Sequence, residues 1–430
     1  MKPFDVVIQP SALSGAVTVP PSKSLLHRAL IGAAISQGTS TITPYVFSAD
    51  INATINALRL LGVTINITDD CLVVTGMFPF KQPHTLIPVG GSASTLRMLL
   101  PLVSLVGQPV TFLTDNTLKN RPLDTYKSLY KTQLRITENT VTISKVNLPK
   151  EIRCDDLTSS QFISGLLFAL PLLNQDTTLV INNPVSTPYI HLTCDVLRTH
   201  AIDITYHHNG FHIRGNQTYR SSDYVVEGDY SQAAFFIAAG LFHSTVTIHG
   251  LNYLSRQGDR VFIDFVKSMG ANIVFDHDKI ITKKSVLTGQ SFDLKDCPDL
   301  APIIACVATQ AEGITTLVNV DRLVHKESNR LMAIIETLKA LGAHIDYTDN
   351  TLTIKGVTPL AGSITLNGYH DHRMVMMLSI AASIAKGPIT IKNAEAIHKS
   401  YPHFFEDYQA LGGDVSFRRS NNDYSDDKRH

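Results

Sequence analysis

An internal repeat of about 70 residues runs through this chain of 430 residues. Each copy opens with an apolar helix rich in Ala, Leu and Ile, passes a Gly or polar turn, and reaches a short Thr/Val/Ile strand. The helix starts are marked, 68, 67, 72, 68 and 72 residues apart, by Ser24, Ser92, Ser159, Ser231, Asp299 and Asp371. Six similar supersecondary units are therefore predicted.

A second half follows most copies of the repeat. In "INATINALRLLGVTINITDDCLVVTG" and "RLMAIIETLKALGAHIDYTDNTLTIKG", an amphipathic helix ends at Leu-Gly and a hairpin follows. Glycine supplies the left-handed helix cap, and the Asp-rich pairs supply the turn. Each unit is thus predicted to read helix, strand, helix, strand, strand.

The ends of the chain are predicted to complement each other. The sixth copy stops at "LGGDVSFRR" without its last hairpin strand, whereas the N terminus begins with strand-like "FDVVIQ" and "GAVTVP". We expect the N terminus to complete the last unit. With three units per domain, the prediction is an α/β protein with one domain at 21–227 and a discontinuous one at 1–20 and 228–430, linked by crossovers near Pro20 and Gly228.

Composition excludes several function classes. The chain balances 37 basic against 37 acidic residues, so no overall field would attract nucleic acid or an anionic membrane. The longest apolar run, Phe162 to Leu173, is too short to span a bilayer. The five cysteines are scattered and form no C-x-x-C pair, which favours reduced thiols over disulfides or a zinc site. We expect a cytoplasmic protein, with neither nucleic acid nor membrane as partner.

Basic residues stand at the starts of apolar helices, where an anion could bind. "PPSKSLLHRAL" places Lys23, Ser24 and Arg28 at the start of an apolar helix. Serine there is consistent with simple N-capping, but a cation in the first turn opposes the helix dipole. Several helix N termini that converge on one cleft would form an anion site, and we adopt this interpretation.

Further charged residues stand at similar positions. In "HKESNR", Lys326 and Arg330 are spaced to share one helical face, with Glu327 beside them. Asp299 in "CPDLAP" is either a helix cap or a carboxylate that points into the cleft. Each of the other basic residues could be an ordinary surface charge, but as a set they suit a multiply anionic ligand: Arg97, Arg121, Arg373 and Lys399.

The ordered set of motifs resembles the enolpyruvyl transferases, and within them the branch that acts on shikimate 3-phosphate. The motifs are "PPSKSLLHRALIGAA", "GGSASTLR", "NRPL", "SSQFISGLL", "VSTPYI", "EGDYSQAAFF", "PDLAP", "RLVHKESNRL", "DHRMVM" and "AIHKSYPHFF". The resemblance implies two domains, each of three repeated helix-and-sheet units with buried helices. This architecture agrees with the repeat.

The resemblance also implies the site and the chemistry. The shikimate 3-phosphate contacts would be Lys23, Ser24, Arg28, Ser159, Ser160, Gln161, Ser186, Tyr189, Asp299 and Lys326. The phosphoenolpyruvate contacts would be Lys23, Ala93, Arg121, Gln161, Arg330, Arg373 and Lys399. Among the catalytic groups (Lys23, Asp299, Lys326, Glu327), Asp299 or Lys326 would take the proton of the 5-hydroxyl and Glu327 would protonate the methylene carbon. No metal or other cofactor is expected, and the chain is expected to act as a monomer.

Several positions depart from the family pattern, and the first is Gly91, which replaces an asparagine of the family's loop. Ala93 in "GGSASTLR" falls on the second glycine of the family's loop, beside the pocket that the herbicide glyphosate shares with phosphoenolpyruvate. The added methyl group predicts weak inhibition by glyphosate, unless a shifted backbone absorbs it. Arg322 and Asn329 stand where other residues are frequent, and Asn329 would remove a partner of the neighbouring cations.

Two alternative functions are weighed against this prediction. The sister enzyme acts on a UDP-linked amino sugar and normally uses a reactive cysteine in a mobile loop, but no cysteine lies near "NRPL" in this chain. A catalytically silent scaffold would have to bury its cations and carboxylates without a ligand, which is costly. The tail "SNNDYSDDKRH" has the composition of a disordered segment.

Overall fold

The computed structural model describes residues 3–119, 121–155, 157–276 and 278–419. The tail and the asparagine of "NRPL" lie outside these ranges. We call residues 21–227 the central half and the remaining described residues the terminal half.

The described residues alternate between helices and short strands. The strands are β1 (Phe4–Gln9), β2 (Gly15–Thr18), β3 (Thr39–Thr43), β4 (Thr64–Ile67), β5 (Leu72–Thr75), β6 (Ile87–Gly90), β7 (Val110–Thr114), β8 (Leu134–Ile136), β9 (Thr140–Ile143), β10 (Glu151–Cys154), β11 (Thr177–Ile181), β12 (Ile204–His207), β13 (Gly210–Ile213), β14 (Tyr224–Val225), β15 (Val246–His249), β16 (Asn272–Asp276), β17 (Lys279–Lys283), β18 (Ser291–Asp293), β19 (Ile314–Val318), β20 (His344–Thr348), β21 (Thr351–Lys355), β22 (Ile364–Asn367), β23 (Ile389–Lys392) and β24 (Asp414–Arg419). The helices are α1 (Lys23–Ala34), α2 (Ala49–Leu60), α3 (Ala93–Val103), α4 (Asn116–Lys119), α5 (Asp124–Tyr130), α6 (Gln161–Ala169), α7 (Thr187–Thr199), α8 (Tyr230–Phe242), α9 (Val261–Ser268), α10 (Ala301–Ala308), α11 (Arg330–Ala340), α12 (His372–Ser383) and α13 (Phe404–Ala410).

The strands form six sheets of four, one for each copy of the repeat. Their orders are β14-β3-β5-β4, β6-β7-β9-β8, β10-β11-β13-β12, β2-β15-β17-β16, β18-β19-β21-β20 and β22-β23-β1-β24. In each sheet the first strand pairs in parallel with the second, and the remaining pairs are antiparallel. The predicted unit contained the last three strands and missed the parallel edge strand. These edge strands are two to four residues long, too short to show a strand period.

The N terminus completes the sixth unit, as predicted. β1 inserts between β23 and β24, with Val6 opposite Ile391 and Ile8 opposite Val415. β2 forms the parallel edge of the fourth sheet, with Val17 opposite Ile248.

The first helix of each unit is buried on all sides. In α8 every residue from Tyr230 to Leu241 is buried, and α10 and α12 are buried along their whole lengths. Helices that are apolar all round can only be placed inside a core, so the sheets lie outside them. The core residues form one cluster in the central half and one in the terminal half. The exact domain boundaries stay a prediction.

The chain passes between the halves twice, and the two passages lie side by side. Ser22 N–H donates to the Glu227 carbonyl oxygen over 2.8 Å, and Asp229 N–H donates to the Pro20 carbonyl oxygen over 2.9 Å. Gly228 fits there because a Cβ would lie 2.4 Å from the Gly250 carbonyl oxygen. This junction fixes the starts of α1 and α8 next to each other. No helix within the described ranges combines the length and apolar character needed to cross a membrane.

Candidate active site

Two adjoining cavities of about 70 Å³ each lie where the halves face each other. Both are lined by Ser24, Ser94, Ser159, Gln161, Asp299 and Lys326. The first, which we call the serine cavity, is also lined by Arg28, Met98, Ser160, Ser186, Tyr189, Pro298 and Arg322. The second, which we call the charged cavity, is also lined by Lys23, Asp50, Ala93, Arg121, Glu327, His372 and Arg373. Most of the predicted site residues thus meet in one place.

Helix N termini converge on these cavities. Residues of the first turns of α1, α3, α6 and α12 line the cavity walls, and Ser186 precedes α7. Such termini present free N–H groups and a partial positive charge. The convergence expected for an anion site is therefore present in the structure.

Capping does not account for Ser24 or Asp299. The cap position of α1 is Ser22, which makes no side-chain capping bond; instead Lys23 N–H donates to Asp229 Oδ2 over 3.1 Å. Asp299 lies in a short 3-10 turn, Pro298–Leu300, and its carboxylate contacts cations instead. By contrast, Ser92 caps α3 and Asp371 caps α12.

Asp299 stands at the boundary of the two cavities. Its carboxylate lies 3.1 Å from Lys326 Nζ, 2.9 Å from Arg330 Nη1 and 3.3 Å from Arg373 Nη2. Burial alone would raise the pKa of this carboxyl, but Arg373, Lys326 and Arg330 hold it well below its usual range. Asp299 is therefore ionised at neutral pH.

The prediction that Lys326 and Arg330 share one helical face is wrong. Lys326 has an extended backbone after the 3-10 turn Asp321–His325, and α11 begins only at Arg330. The reason is Asn329, whose side chain caps α11 by accepting the Met332 N–H over 3.2 Å. Lys326 and Arg330 still meet, because both contact Asp299.

Glu327 is held by arginines from both halves. Its Oε1 lies 3.2 Å from Arg121 Nη1, and its Oε2 lies 2.7 Å from Arg330 Nη2. Burial favours the neutral carboxyl, but Arg121 and Arg330 keep its pKa well below the ordinary value. Glu327 is therefore ionised at neutral pH.

Arg330 and Lys399 are not among the residues that line the cavities. Arg330 is fully buried, and besides Asp299 and Glu327 it binds Asp371 with Nε at 2.9 Å and Nη2 at 3.1 Å. Lys399 Nζ lies 2.8 Å from the Gly91 carbonyl oxygen. Both residues support the walls of the charged cavity, and their direct contact with substrate stays a prediction.

Sequence reasoning missed Asp50 and His372 as site residues. Asp50 accepts from Lys23 Nζ at 2.7 Å and pairs with Lys399 Nζ at 3.1 Å, so it links the two halves. Burial opposes its ionisation, yet Lys23 and Lys399 lower its pKa. Neither ring nitrogen of the buried His372 has a hydrogen-bond partner among the described residues. Burial and the charges of Lys23 and Arg373 keep the pKa of His372 well below its usual value, so the ring is neutral.

Arg28, which lines the serine cavity, makes its hydrogen bonds to neutral groups. Arg28 donates to Thr193 Oγ1 at 2.8 Å and to the Ser24 carbonyl oxygen at 2.7 Å, as well as to Ser164 and Tyr189. All of these partners are neutral. Burial lowers the pKa of Arg28 to about 10, so its charge stays uncompensated at neutral pH.

Gln161 is oriented between the two cavities. Arg97 Nη1 donates to its Oε1 over 3.1 Å, and its Nε2 donates to Ser94 Oγ over 2.8 Å. Arg97 itself stacks over Phe162, with its Cζ 4.7 Å from the ring centroid. Arg97 is thus a support for Gln161, and it is not among the residues that line the cavities.

A family model and the related sequences agree on one family for this chain. A sequence model of the family "EPSP synthase (3-phosphoshikimate 1-carboxyvinyltransferase)" matches residues 7–408. The 3-phosphoshikimate 1-carboxyvinyltransferase of Clostridium novyi is 39% identical over 426 residues, which cover 95% of this chain and 98% of the relative. That of Methanocaldococcus jannaschii is 38% identical over 428 residues, with 96% and 99% coverage.

Solved structures agree with the fold. An EPSP synthase from Acinetobacter baumannii superposes with a TM-score of 0.80 at 26% identity, covering 96% of this chain and 100% of that one. The enolpyruvyl transferase NikO from Streptomyces tendae reaches a TM-score of 0.80 at 20% identity, with 97% and 99% coverage, and it supports the fold alone.

Proposed function

The chain belongs to the EPSP synthase (3-phosphoshikimate 1-carboxyvinyltransferase) family, and from this premise we propose how its cleft performs the family's reaction. The reaction transfers the 1-carboxyvinyl group of phosphoenolpyruvate to the 5-hydroxyl of shikimate 3-phosphate and releases phosphate. The observation that carries the assignment of residues is the position of Asp299 and Lys326, which stand between a hydroxyl-lined cavity and a cation-lined one.

Shikimate 3-phosphate occupies the serine cavity. Its phosphate faces Ser159, Ser160 and Ser186 at the starts of α6 and α7, where hydroxyl and backbone N–H groups suit an anion. Its 5-hydroxyl points toward Asp299 and Lys326. Ser24, Arg28, Gln161 and Tyr189 enclose the ring, and Lys23 approaches from the charged cavity.

Phosphoenolpyruvate occupies the charged cavity. Arg121 and Arg373 come from opposite halves and bind its carboxylate and phosphate, while Lys23 adds a third cation. Ala93 forms part of the wall. Arg330 and Lys399 support this set from behind, through Glu327 and Asp50.

The reaction proceeds by addition and then elimination. Asp299 takes the proton of the 5-hydroxyl, with Lys326 Nζ 3.1 Å away to share or relay it. The hydroxyl oxygen bonds to C2 of phosphoenolpyruvate while Glu327 gives a proton to C3. Glu327 then takes a proton back from C3 as the C2–O bond to phosphate breaks, which restores the double bond.

The anionic substrates themselves prepare the two carboxyl groups. Arg121 and Arg373 hold the pKa values of Glu327 and Asp299 down before substrates bind. When these cations turn to phosphoenolpyruvate, both carboxyl pKa values rise toward the range useful for proton transfer. The cations in turn stabilise the charge of the tetrahedral intermediate and the leaving phosphate.

Two alternatives are less well supported. Curated relatives named for the shikimate reaction support it over the sister reaction on a UDP-linked amino sugar. A silent scaffold would retain, without use, a cavity whose cations and carboxylates are buried. We further propose that the chain works as a cytoplasmic monomer.

The test is phosphate release from phosphoenolpyruvate, measured with and without shikimate 3-phosphate. We expect release only with both substrates. Glu327→Gln should lower kcat by about 10²- to 10⁴-fold, because it removes the proton donor and preserves shape. The affinity for shikimate 3-phosphate should change far less.

Glu336→Gln is the matched control, since Glu336 lies on the exposed face of α11. Its kcat should equal that of the unmodified protein. Near-normal turnover in Glu327→Gln would remove Glu327 from the mechanism, and phosphate release without shikimate 3-phosphate would contradict the proposed reaction.

A further inference from the structure

A network of buried hydroxyl groups joins three helices behind the charged cavity. His27 Nδ1, on α1, lies 2.8 Å from Thr54 Oγ1, on α2, which lies 2.7 Å from Thr95 Oγ1, on α3. Thr95 Oγ1 in turn lies 2.8 Å from the Oγ of Ser92, the cap of α3. All four side chains are at most 1% exposed, and none belongs to the lining of either cavity. We call these four side chains the hydroxyl network.

The hydroxyl network has one favoured direction. Burial lowers the pKa of His27 to about 3, so the ring is neutral and carries a single proton. Its Nε2 is buried and has no hydrogen-bond partner within the described residues. A proton on Nε2 would be a buried donor without an acceptor, so the proton resides on Nδ1 and is donated to Thr54. The Thr54 hydroxyl then donates to Thr95, and the Thr95 hydroxyl donates to Ser92.

On one side the hydroxyl network fixes the start of α3. Ala93 and Ser94 are the first two residues of this helix, and both line the charged cavity. Thr95 follows them directly, and its side chain is tied to Thr54 of the neighbouring helix. A shift of this helix start would break buried hydrogen bonds and leave their groups unpaired. The network therefore fixes the wall that these two residues form.

On the other side the hydroxyl network fixes Asp50. The main-chain oxygen of Asp50 lies 3.5 Å from Thr54 Oγ1 and 3.4 Å from Thr95 Oγ1. Its carboxylate lies 2.7 Å from Lys23 Nζ and 3.1 Å from Lys399 Nζ. Lys23 lines the charged cavity, and Lys399 comes from the terminal half. The position of Asp50 thus sets the positions of two cations at this cavity.

We propose that Thr54 and Thr95 are positioning residues for phosphoenolpyruvate, because their paired hydroxyl groups hold Asp50 with its lysines and the start of α3 in place around the charged cavity. This inference rests on the function proposed above. Neither threonine lines a cavity, so both act through residues that do. The serines at the starts of α6 and α7 lie outside the network, so binding of shikimate 3-phosphate depends on it less.

The test removes one hydroxyl group and keeps the shape of the side chain. Steady-state kinetics, with each substrate varied in turn, compare the unmodified protein with Thr95→Val and Thr95→Ser. We expect Thr95→Val to raise the KM for phosphoenolpyruvate by about 5- to 30-fold, because it leaves buried polar groups unpaired behind the cavity wall. The kcat and the KM for shikimate 3-phosphate should each change by less than about threefold. Thr95→Ser should bring the KM for phosphoenolpyruvate back to within about twofold, because it retains the hydroxyl group.

A double variant tests whether the two threonines act as one unit. Thr54→Val should raise the KM for phosphoenolpyruvate to a similar degree as Thr95→Val. Combining the two should add no more than about twofold, because the first substitution already removes the contact between the hydroxyl groups. If the two effects multiply in full, the threonines act separately and the network does not position the substrate.

Ser36→Ala is the matched control. Ser36 follows the other end of α1, and its Oγ lies 3.0 Å from His200 Nδ1 in another buried contact between a hydroxyl group and an imidazole. Neither residue belongs to the cavity linings, so both KM values should stay unchanged. Thermal unfolding checks that each variant is folded. If Thr95→Val does not fold, Thr54→Val and Thr54→Ser take its place in the same comparison.

The outcomes separate the inference from the function. If the valine variant keeps the KM for phosphoenolpyruvate of the unmodified protein, or raises both KM values to the same degree, the threonines do not position phosphoenolpyruvate. If Ser36→Ala raises that KM as much, general loosening of the central half explains the effect, and the inference is again wrong. If the unmodified protein releases no phosphate with both substrates present, the proposed function itself fails.

Discussion

Lys326 is a cleft residue whose protonation changes close to neutral pH. Burial lowers its pKa to about 8, although the nearby Asp299 carboxylate acts in the opposite direction. The ammonium group is therefore mostly charged below about pH 8 and mostly neutral above it. Its charge contributes to anion binding only in the lower range.

The affinity for shikimate 3-phosphate should accordingly fall as pH rises through about 8. The loss should approach about tenfold per pH unit above this point if a single proton is involved. Binding is measured by calorimetry between about pH 7.5 and 9.5, above the second phosphate pKa of about 6. Lys326→Arg is the control, because arginine stays charged throughout; parallel profiles for the two proteins would show that Lys326 does not cause the decline.

Ala93 affects selectivity between substrate and inhibitor. It is the first residue of α3, is 2% exposed, and lines the charged cavity beside Lys23 and Arg121. Its methyl group occupies space in a close-packed wall. Glyphosate is longer than phosphoenolpyruvate, so this crowding should cost the inhibitor more than the substrate.

Ala93→Gly should therefore increase sensitivity to glyphosate, by about 5- to 100-fold in the ratio of its inhibition constant to the KM for phosphoenolpyruvate. The ratio corrects for any general loosening of the helix start. Inhibition kinetics against phosphoenolpyruvate measure it directly. A glycine variant that is no more sensitive than its parent would show that the backbone absorbs the methyl group.

The sequence predicted cleft residues where a motif concentrates unusual charges, and it failed where the local pattern looks ordinary. Lys23 stands out because a cation in the first turn of an apolar helix opposes the helix dipole. Glu327 stands out because Lys326 and Arg330 flank it, and Asp299 belongs to the motif "PDLAP". Asp50, in the first turn of α2 after the cap Ser48, looks like a routine helix start. Its role appears only when the fold brings Lys399 to it, a contact across 349 residues of chain.

At the scale of elements, β1 shows how much a distant strand contributes to the last unit. It is the only strand among the described residues that separates β23 from β24, and its residues Val6, Val7 and Ile8 are buried. Without it the two partners would lose their ladders and an apolar face. The N terminus is therefore part of the terminal half's core.

Ile8→Ala should destabilise the protein by about 2–5 kcal/mol, since it empties a fully buried site. Gln9→Ala, on the exposed end of the same strand, should stay within about 0.5 kcal/mol. Urea unfolding followed by circular dichroism measures both, as the chain has no Trp to serve as a fluorescence probe. Hydrogen exchange should show lost protection in β23 and β24 but not in β3 and β5; an equal loss in both halves would contradict the assignment of β1 to one core.

The sequence indicated the buried helices, the hairpins and the closing role of β1, because each has a clear period or a clear gap. Of the six parallel edge strands it indicated only β2, as the strand-like "GAVTVP", and missed the other five. β14 contains two residues, and its partner β3 lies about 180 residues earlier in the chain. Such strands are defined by their neighbours in the sheet, and a local pattern carries little information about them.

At the scale of the whole molecule, the cleft is positively charged. Its two linings contain six cationic side chains and three carboxylates, a net charge of +3 with His372 neutral. These charges come from both halves, so part of the attraction between the halves is offset by repulsion among cations. The side-chain contacts that cross the cleft include Arg121 with Glu327, Lys399 with Asp50, and Arg322 with Ser186.

Substrate anions should therefore draw the halves together. Each substrate brings one carboxylate and one phosphate of about −1.5 to −2 charge, enough to neutralise the cleft. Small-angle scattering should show a radius of gyration that falls, with both substrates, toward the roughly 22 Å of a compact chain of this length. Shikimate in place of shikimate 3-phosphate should compact the protein less, because it lacks the phosphate. A radius that does not change with substrates would show that closure is not driven by charge neutralisation, and equal compaction by the two ligands would assign it to ring contacts instead.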